Sequence, residues 1–112
     1  MSIFKEYDIR GKYPQEINKK IALKIIKALK AEKIVLGHDG QRDSVALSKA
    51  IIQKFKNIID LGHVPVSLIS FAIHKLKLDA GIMITASHLP KNYAGFKIFD
   101  KNGLPIKPKT LF

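Results

Sequence analysis

A chain of 112 residues suffices for one modest domain and not for two. With 46% apolar and 26% charged residues it is too apolar to be disordered, and with no cysteine it can form neither disulfides nor a thiol nucleophile. The formal net charge of +11, almost all of it lysine, points either to a solvated lysine surface or to a polyanionic partner.

Taken in chain order, Tyr7-Asp8-Ile9-Arg10 reads as a first extended stretch, closed by Gly11. Pro14 then precedes a helix running to about Ala31, with Ile17, Ile21, Ile25, Ala28 and Leu29 on one face and lysines on the other. Ile34-Val35-Leu36, ended by Gly37, has the continuous apolar character of a strand buried on both sides. The loop from His38 to Asp43 leads to Ser44, which is expected to cap a second helix. That helix carries Leu47, Ile51, Phe55 and Ile58 on one stripe, and Asn57 is expected to stop it in the left-handed conformation. Residues 58–62 read as a further strand. Pro65 and Val66 open a third helix, with Ile69, Ile73 and Leu76 aligned. Ile82 to Thr85 is the next strand. Phe96 to Phe99 and Leu104 to Ile106 flank Asp100-Lys101-Asn102-Gly103, and Asn-Gly predicts a hairpin.

The resulting order, β-α-β-α-β-α-β and then a hairpin, predicts a three-layer α/β/α sandwich with a mostly parallel, mixed central sheet. On such a sheet, sites lie at the carboxyl ends of the strands, so the loops at 37–43, 60–65 and 85–95 are expected to gather at one edge. The last of these is the most informative. Ser87 and His88 sit at the exit of an apolar strand, and Lys97 lies on the following run. A hydroxyl acceptor, a neighbouring imidazole and an ammonium are the residue types that phosphoryl transfer to serine requires. The same residues also fit a solvated turn and a surface lysine. His38, His63 and His74 show no metal-ligand spacing, and Gly37 and Gly40 satisfy no nucleotide-binding fingerprint.

Several segments, in order, resemble the N-terminal domain of the α-D-phosphohexomutases, the phosphomannomutase/phosphoglucomutase family. They are Tyr7-Asp8-Ile9-Arg10-Gly11, Gly37-His38-Asp39-Gly40, Asp60-Leu61-Gly62 with Val64-Pro65, the run from Gly81 to His88 with Pro90, and Gly95-Phe96-Lys97. The first and fourth resemble the phosphomannomutase/phosphoglucomutase versions more than those of phosphoglucosamine mutases. The resemblance covers essentially the whole chain and implies a first-domain phosphoglucomutase fold over residues 1–112. It implies that Ser87 carries a phosphoryl group, passes it to a phosphorylated hexose, and receives the other phosphate back from a bisphosphate intermediate. It further implies that His88 assists at that serine, that Lys97 is an acid/base or charge-stabilising group, and that Arg10 holds phosphate with Tyr7 near it. Mg²⁺ is implied as cofactor, bound through the phosphate on Ser87, with its remaining ligands in later domains of the family.

The sequence departs from the family pattern at three positions. Leu89 and Ala94 stand where asparagines are usual, and Gln41 stands where the second loop normally has arginine, with Arg42 one place later. The family's enzymes have four domains and this sequence matches the first. The expectation is therefore a phosphoserine domain inactive alone, with a separate chain carrying the other domains as a partner, or a homo-oligomer formed through the uncovered face. The alternatives are a non-enzymatic, partner-binding remnant and a basic nucleic-acid-binding module. The lysines are spread over helices rather than clustered with aromatics, which argues against nucleic acid. The start of the chain has no apolar core of signal-peptide length, and the longest mostly apolar run, Val64 to Ile73, is too short to span a bilayer, so a cytoplasmic protein without membrane contact is expected.

Overall fold

The computed structural model describes residues 3–86 and 92–112. Five strands form one mixed sheet: β1 (Ile9–Lys12), β2 (Ile34–His38), β3 (Ile58–His63), β4 (Ala80–Thr85) and β5 (Tyr93–Phe99). Their spatial order is β1-β5-β4-β2-β3, with β4, β2 and β3 mutually parallel and β5 antiparallel to both β4 and β1. Helices α1 (Lys19–Leu29) and α2 (Arg42–Lys54) cover one face and α3 (Ser67–Leu76) the other. This is the expected α/β/α sandwich.

Alternation along the strands divides the core in two. Leu36, Ile82, Ile84, Phe96 and Ile98 pack against Ala22, Ile25 and Ile26 of α1 and Leu47 and Ile51 of α2. Val35, Met83 and Phe99 meet Ile69, Ala72 and Ile73 of α3. The second layer is thin, and α3 approaches the sheet closely because Gly81 lies beneath it. A Cβ there would come within 2.6 Å of Ile69 Cγ2.

Helix ends and the hairpin depart from expectation. Helix α1 begins at Lys19, not directly after Pro14, because Asn18 caps it by accepting from the Ile21 amide at 3.2 Å. Its buried stripe is Ala22, Ile25 and Ile26, while Ile21, Ala28 and Leu29 are half-buried. Helix α2 begins one turn earlier than Ser44, with Gln41 at the N-cap. Ser44 is instead fully buried within the helix, and its Oγ has no hydrogen-bond partner among the described residues. Helix α2 ends at Lys54 with Phe55 extended, so Asn57 does not stop it, and Ile58 belongs to β3. The left-handed stops fall on Lys30 after α1 and Lys77 after α3. Leu76 at the end of α3 is half exposed rather than core. The Asn-Gly turn forms around Asp100, whose Oδ1 accepts from the Asn102 and Leu104 amides. The returning arm is only an isolated bridge from Phe99 to Pro105, because Pro105 has no N–H to extend a ladder.

Candidate active site

The carboxyl ends of β2, β3 and β4 lie side by side, and the residues that follow β2 and β3 meet at this edge. Two backbone bonds tie them: Asp39 N–H donates to Ile84 O at 3.0 Å, and Val64 N–H donates to His38 O at 3.1 Å. Between the loops and β5 is a cavity of about 720 Å³. Val64, Pro65, Val66 and Met83 give it apolar walls, and Asp39, Gln41, His63, Thr85 and Lys97 supply polar groups.

Asp39 organises this edge. Its carboxylate accepts from the Ala86 amide at 2.6 Å, from Thr85 Oγ1 at 3.1 Å and from the Gln41 amide at 3.1 Å. The side chain is 9% exposed, so the negative charge is held by donors rather than by water. One carboxylate thus fixes the start of the β2–α2 loop and the residue at which β4 ends.

Lys97 lines the cavity. Its register partner is Met83, which belongs to the α3 side of the sheet, so Lys97 projects to that side. Arg10, Gly95 and Thr85 form one register row across β1, β5 and β4. Strand alternation puts Arg10 and Lys97 on the same face. Arg10 is not among the residues lining the cavity, and its Nε lies 3.4 Å from Asp8 Oδ1 on an exposed edge. Gly95 opens the space between them, since a Cβ there would stand 2.9 Å from Ile9 O.

Tyr7 is half exposed, does not line the cavity, and has Lys107 Nζ 5.6 Å from its ring centre. Ser87, His88 and Leu89 lie outside the described residues. Ala94 is fully buried in the α1/α2 core, so it serves packing where an asparagine had been the family's habit. Gln41 does line the cavity, whereas Arg42 is exposed on the first turn of α2 and does not.

Two members of the site had no assigned role in the sequence. Thr85 is recruited by Asp39. His63 lines the cavity and stacks on His38, with ring centres 6.3 Å apart and planes inclined by 15°. The signal for both was positional: each ends a strand of the parallel set. Among the described residues, no group of three or more His, Asp or Glu is placed to hold a metal. Asp39, Asp60 and Asp100 each accept backbone N–H bonds instead. No described helix is long and apolar enough to cross a membrane.

Comparison with known proteins agrees with this architecture. The chain is 39% identical to a phosphomannomutase of Klebsiella pneumoniae, over 98% of this chain and 75% of that protein. It is 37% identical to a probable phosphoglucosamine mutase of Methanosphaera stadtmanae, over 94% of this chain and 25% of that one. It superimposes with a TM-score of 0.79 on a putative phosphomannomutase from Thermus thermophilus, at 29% identity, over 96% of this chain and 28% of the other. The chain therefore spans about a quarter of two of these relatives and most of the third. Residues 1–111 match the sequence profile described as phosphoglucomutase/phosphomannomutase, alpha/beta/alpha domain I, and the chain belongs to that family.

Proposed function

We propose that this chain is the phosphoserine-bearing domain of a phosphohexomutase and that Ser87 is the residue phosphorylated. The observation that carries the reading is the Asp39 cluster. It fixes Thr85 and Ala86, the two residues before Ser87, at the rim of a cavity that also receives Lys97. A nucleophile or phosphoryl donor needs that kind of backbone anchoring, because misplacement by an ångström costs orders of magnitude in rate.

In the forward step a hydroxyl of a phosphorylated hexose attacks the phosphorus on Ser87. The P–Oγ bond breaks, the new P–O bond completes a hexose bisphosphate, and the hydroxyl's proton is lost as Ser87 Oγ gains one. In the return step the other phosphate passes back to Oγ with the same balance. Lys97 offsets the charge on the transferring oxygens or carries the proton, and His88 assists at Oγ. Arg10, on the same face as Lys97, can grip a phosphate bidentately, and Tyr7 stays peripheral. Mg²⁺, where the enzyme uses it, supplies Lewis-acid compensation for phosphate charge. Among the described residues no group of three or more His, Asp or Glu is placed to hold it. The relatives' names include both mannose- and glucosamine-type mutases, so the substrate is given at the level of a phosphorylated hexose. The exposed Phe71 and Leu104 flank the Ser70–Gly103 hydrogen bond on the α3 side and suit contact with the remaining mutase domains.

The test is incubation with a hexose 1,6-bisphosphate followed by intact-mass and peptide-mapping spectrometry. One phosphoryl group on Ser87, absent in Ser87→Ala, is the expected result. Modification of another residue with Ser87 untouched, or no modification when the other mutase domains are present, rejects the reading.

A further inference from the structure

We propose that the outer face of α1 and α2 is a docking surface for the phosphodiester backbone of double-helical nucleic acid, bound without regard to base sequence. This face lies on the side of the sheet away from α3, and the proposal stands independently of the Ser87 reading.

Lysines that are dispersed along the sequence are gathered by the fold. Helix α1 contains no acidic residue. Ala22, Ile25 and Ile26 point into the core, and at about 100° per residue the opposite direction is taken by Lys20, Lys24 and Lys27, all exposed. From Lys20 to Lys27 the row runs about 10 Å along the helix axis, roughly three phosphate steps on one strand of a duplex. Helix α2 lies beside α1 on the same layer. Its buried stripe is Ser44, Leu47, Ser48 and Ile51, and Arg42 and Lys49 stand exposed on the other side. The two outward rows carry no carboxylate. Asp43, the acid of α2, is half-buried on the flank of that helix. Glu16 and Glu32 lie in the turns before and after α1, and Glu16 Oε1 accepts from the Lys12 amide. Among the described residues, none of the five outward cations is in an ion pair.

The make-up of the face selects among polyanions. Cationic groups without acidic neighbours favour a partner that brings the negative charge itself. Neither helix exposes an aromatic residue, and the exposed Tyr7, Phe71 and Phe112 lie outside both. Unstacked bases therefore find no platform, which disfavours single strands and leaves the regular backbone of a duplex. The exposed residues of α1 are lysines, so that helix has no apolar side chain to insert among lipid tails. Lysine meets phosphate as a point charge and lacks the bidentate fork that reads guanine, so four lysines and one arginine position a backbone without specifying bases.

The test is fluorescence anisotropy of a labelled DNA duplex of about 20 base pairs titrated with the full chain at neutral pH and about 50 mM salt. Binding should be micromolar, and log K should fall against log salt with a slope of about −3 to −5, as three to five phosphates are neutralised. A duplex of scrambled sequence should bind equally well, and a single strand of the same length more weakly. The triple variant Lys20→Gln/Lys24→Gln/Lys27→Gln should lose about tenfold or more in affinity and flatten the slope by about 2–3. Glutamine is nearly as good a helix former as lysine, so helical circular dichroism should be unchanged. Arg42→Gln/Lys49→Gln should weaken binding from the neighbouring helix. Lys75→Gln/Lys101→Gln/Lys109→Gln removes as much charge from exposed positions outside this face and should leave affinity near that of the parent. Equal losses in the two triple variants would reduce the effect to net charge and overturn the proposal. So would the absence of duplex binding, or tighter binding to the single strand or to anionic lipid vesicles than to the duplex. The Ser87 reading is judged by its own mass spectrum, which none of these outcomes alters.

Discussion

The carboxylate of Asp39 links two loops that are remote in sequence. Its partners Thr85 and Ala86 are 46 and 47 residues away, and they meet it only because β2 and β4 are parallel neighbours. Replacing it with alanine would leave the Ala86 and Gln41 amides without their acceptor at a largely buried site. Losing a buried partner costs about 1–3 kcal/mol, so Asp39→Ala should lower stability by roughly 2–3 kcal/mol in urea unfolding. Asp39→Asn keeps the shape and one acceptor oxygen, and should fall between the two. Amide exchange at Ala86 should quicken in both variants, more in Asp39→Ala. Wild-type unfolding midpoints together with unchanged exchange at Ala86 would show that the cluster anchors nothing. The sequence shows Asp39 only as part of a segment that resembles the family, and the cross-strand role of its carboxylate was invisible there. No pattern of spacing shows that a carboxylate will meet an amide two strands on in sequence, and the same holds for the stacking of His63 on His38.

At the scale of elements, the strands and helices were legible wherever periodicity was strong. Ile34-Val35-Leu36 and the apolar run before Thr85 are buried on both faces of a sheet, and the five lysines 19, 20, 24, 27 and 30 ride the exposed side of α1 or its cap. The boundaries were less legible, because caps compete locally. Asn18 and Gln41 both serve as N-caps, but only Asn18 does so through its side chain. The helix stops carry a physical cost that no sequence signal announced. Lys30 at φ 51° and Lys77 at φ 54° hold a conformation in which an L side chain crowds its own carbonyl. Glycine removes that crowding but adds freedom to the unfolded chain. Lys30→Gly and Lys77→Gly should each stabilise by a few tenths to about 1 kcal/mol, read as a higher melting temperature. Destabilisation by either change would mean that the lysine stem contributes packing that outweighs the backbone gain.

For the whole molecule, what matters is how much of a mutase reaction 112 residues can hold. The chain measures 34 × 27 × 25 Å and presents its candidate site on one open edge of the sheet. That edge offers Lys97, His63 and, further along the same face as Lys97, Arg10. On the proposed reading, two other requirements are compensation of phosphate charge, which a metal ion would supply, and a grip on the phosphate remote from the reacting oxygen. The described residues provide no cluster for the first. For the second, the proposed route has a bisphosphate turn over and be held again in the opposite sense, which calls for a grip on both phosphates beyond Lys97 and Arg10. Oriented binding and electrostatic compensation each commonly supply several kcal/mol of barrier lowering, and every 1.4 kcal/mol is about tenfold in rate. The 112-residue chain by itself should therefore show no measurable mutase turnover with glucose 1-phosphate or mannose 1-phosphate in a coupled assay. Adding the remaining domains of a full-length relative in trans should produce turnover, and Ser87→Ala in this chain should abolish it. Robust turnover by the purified chain alone would show that one α/β/α unit can position both phosphates. Undiminished turnover of Ser87→Ala in the reconstituted enzyme would move the phosphoryl carrier to another residue.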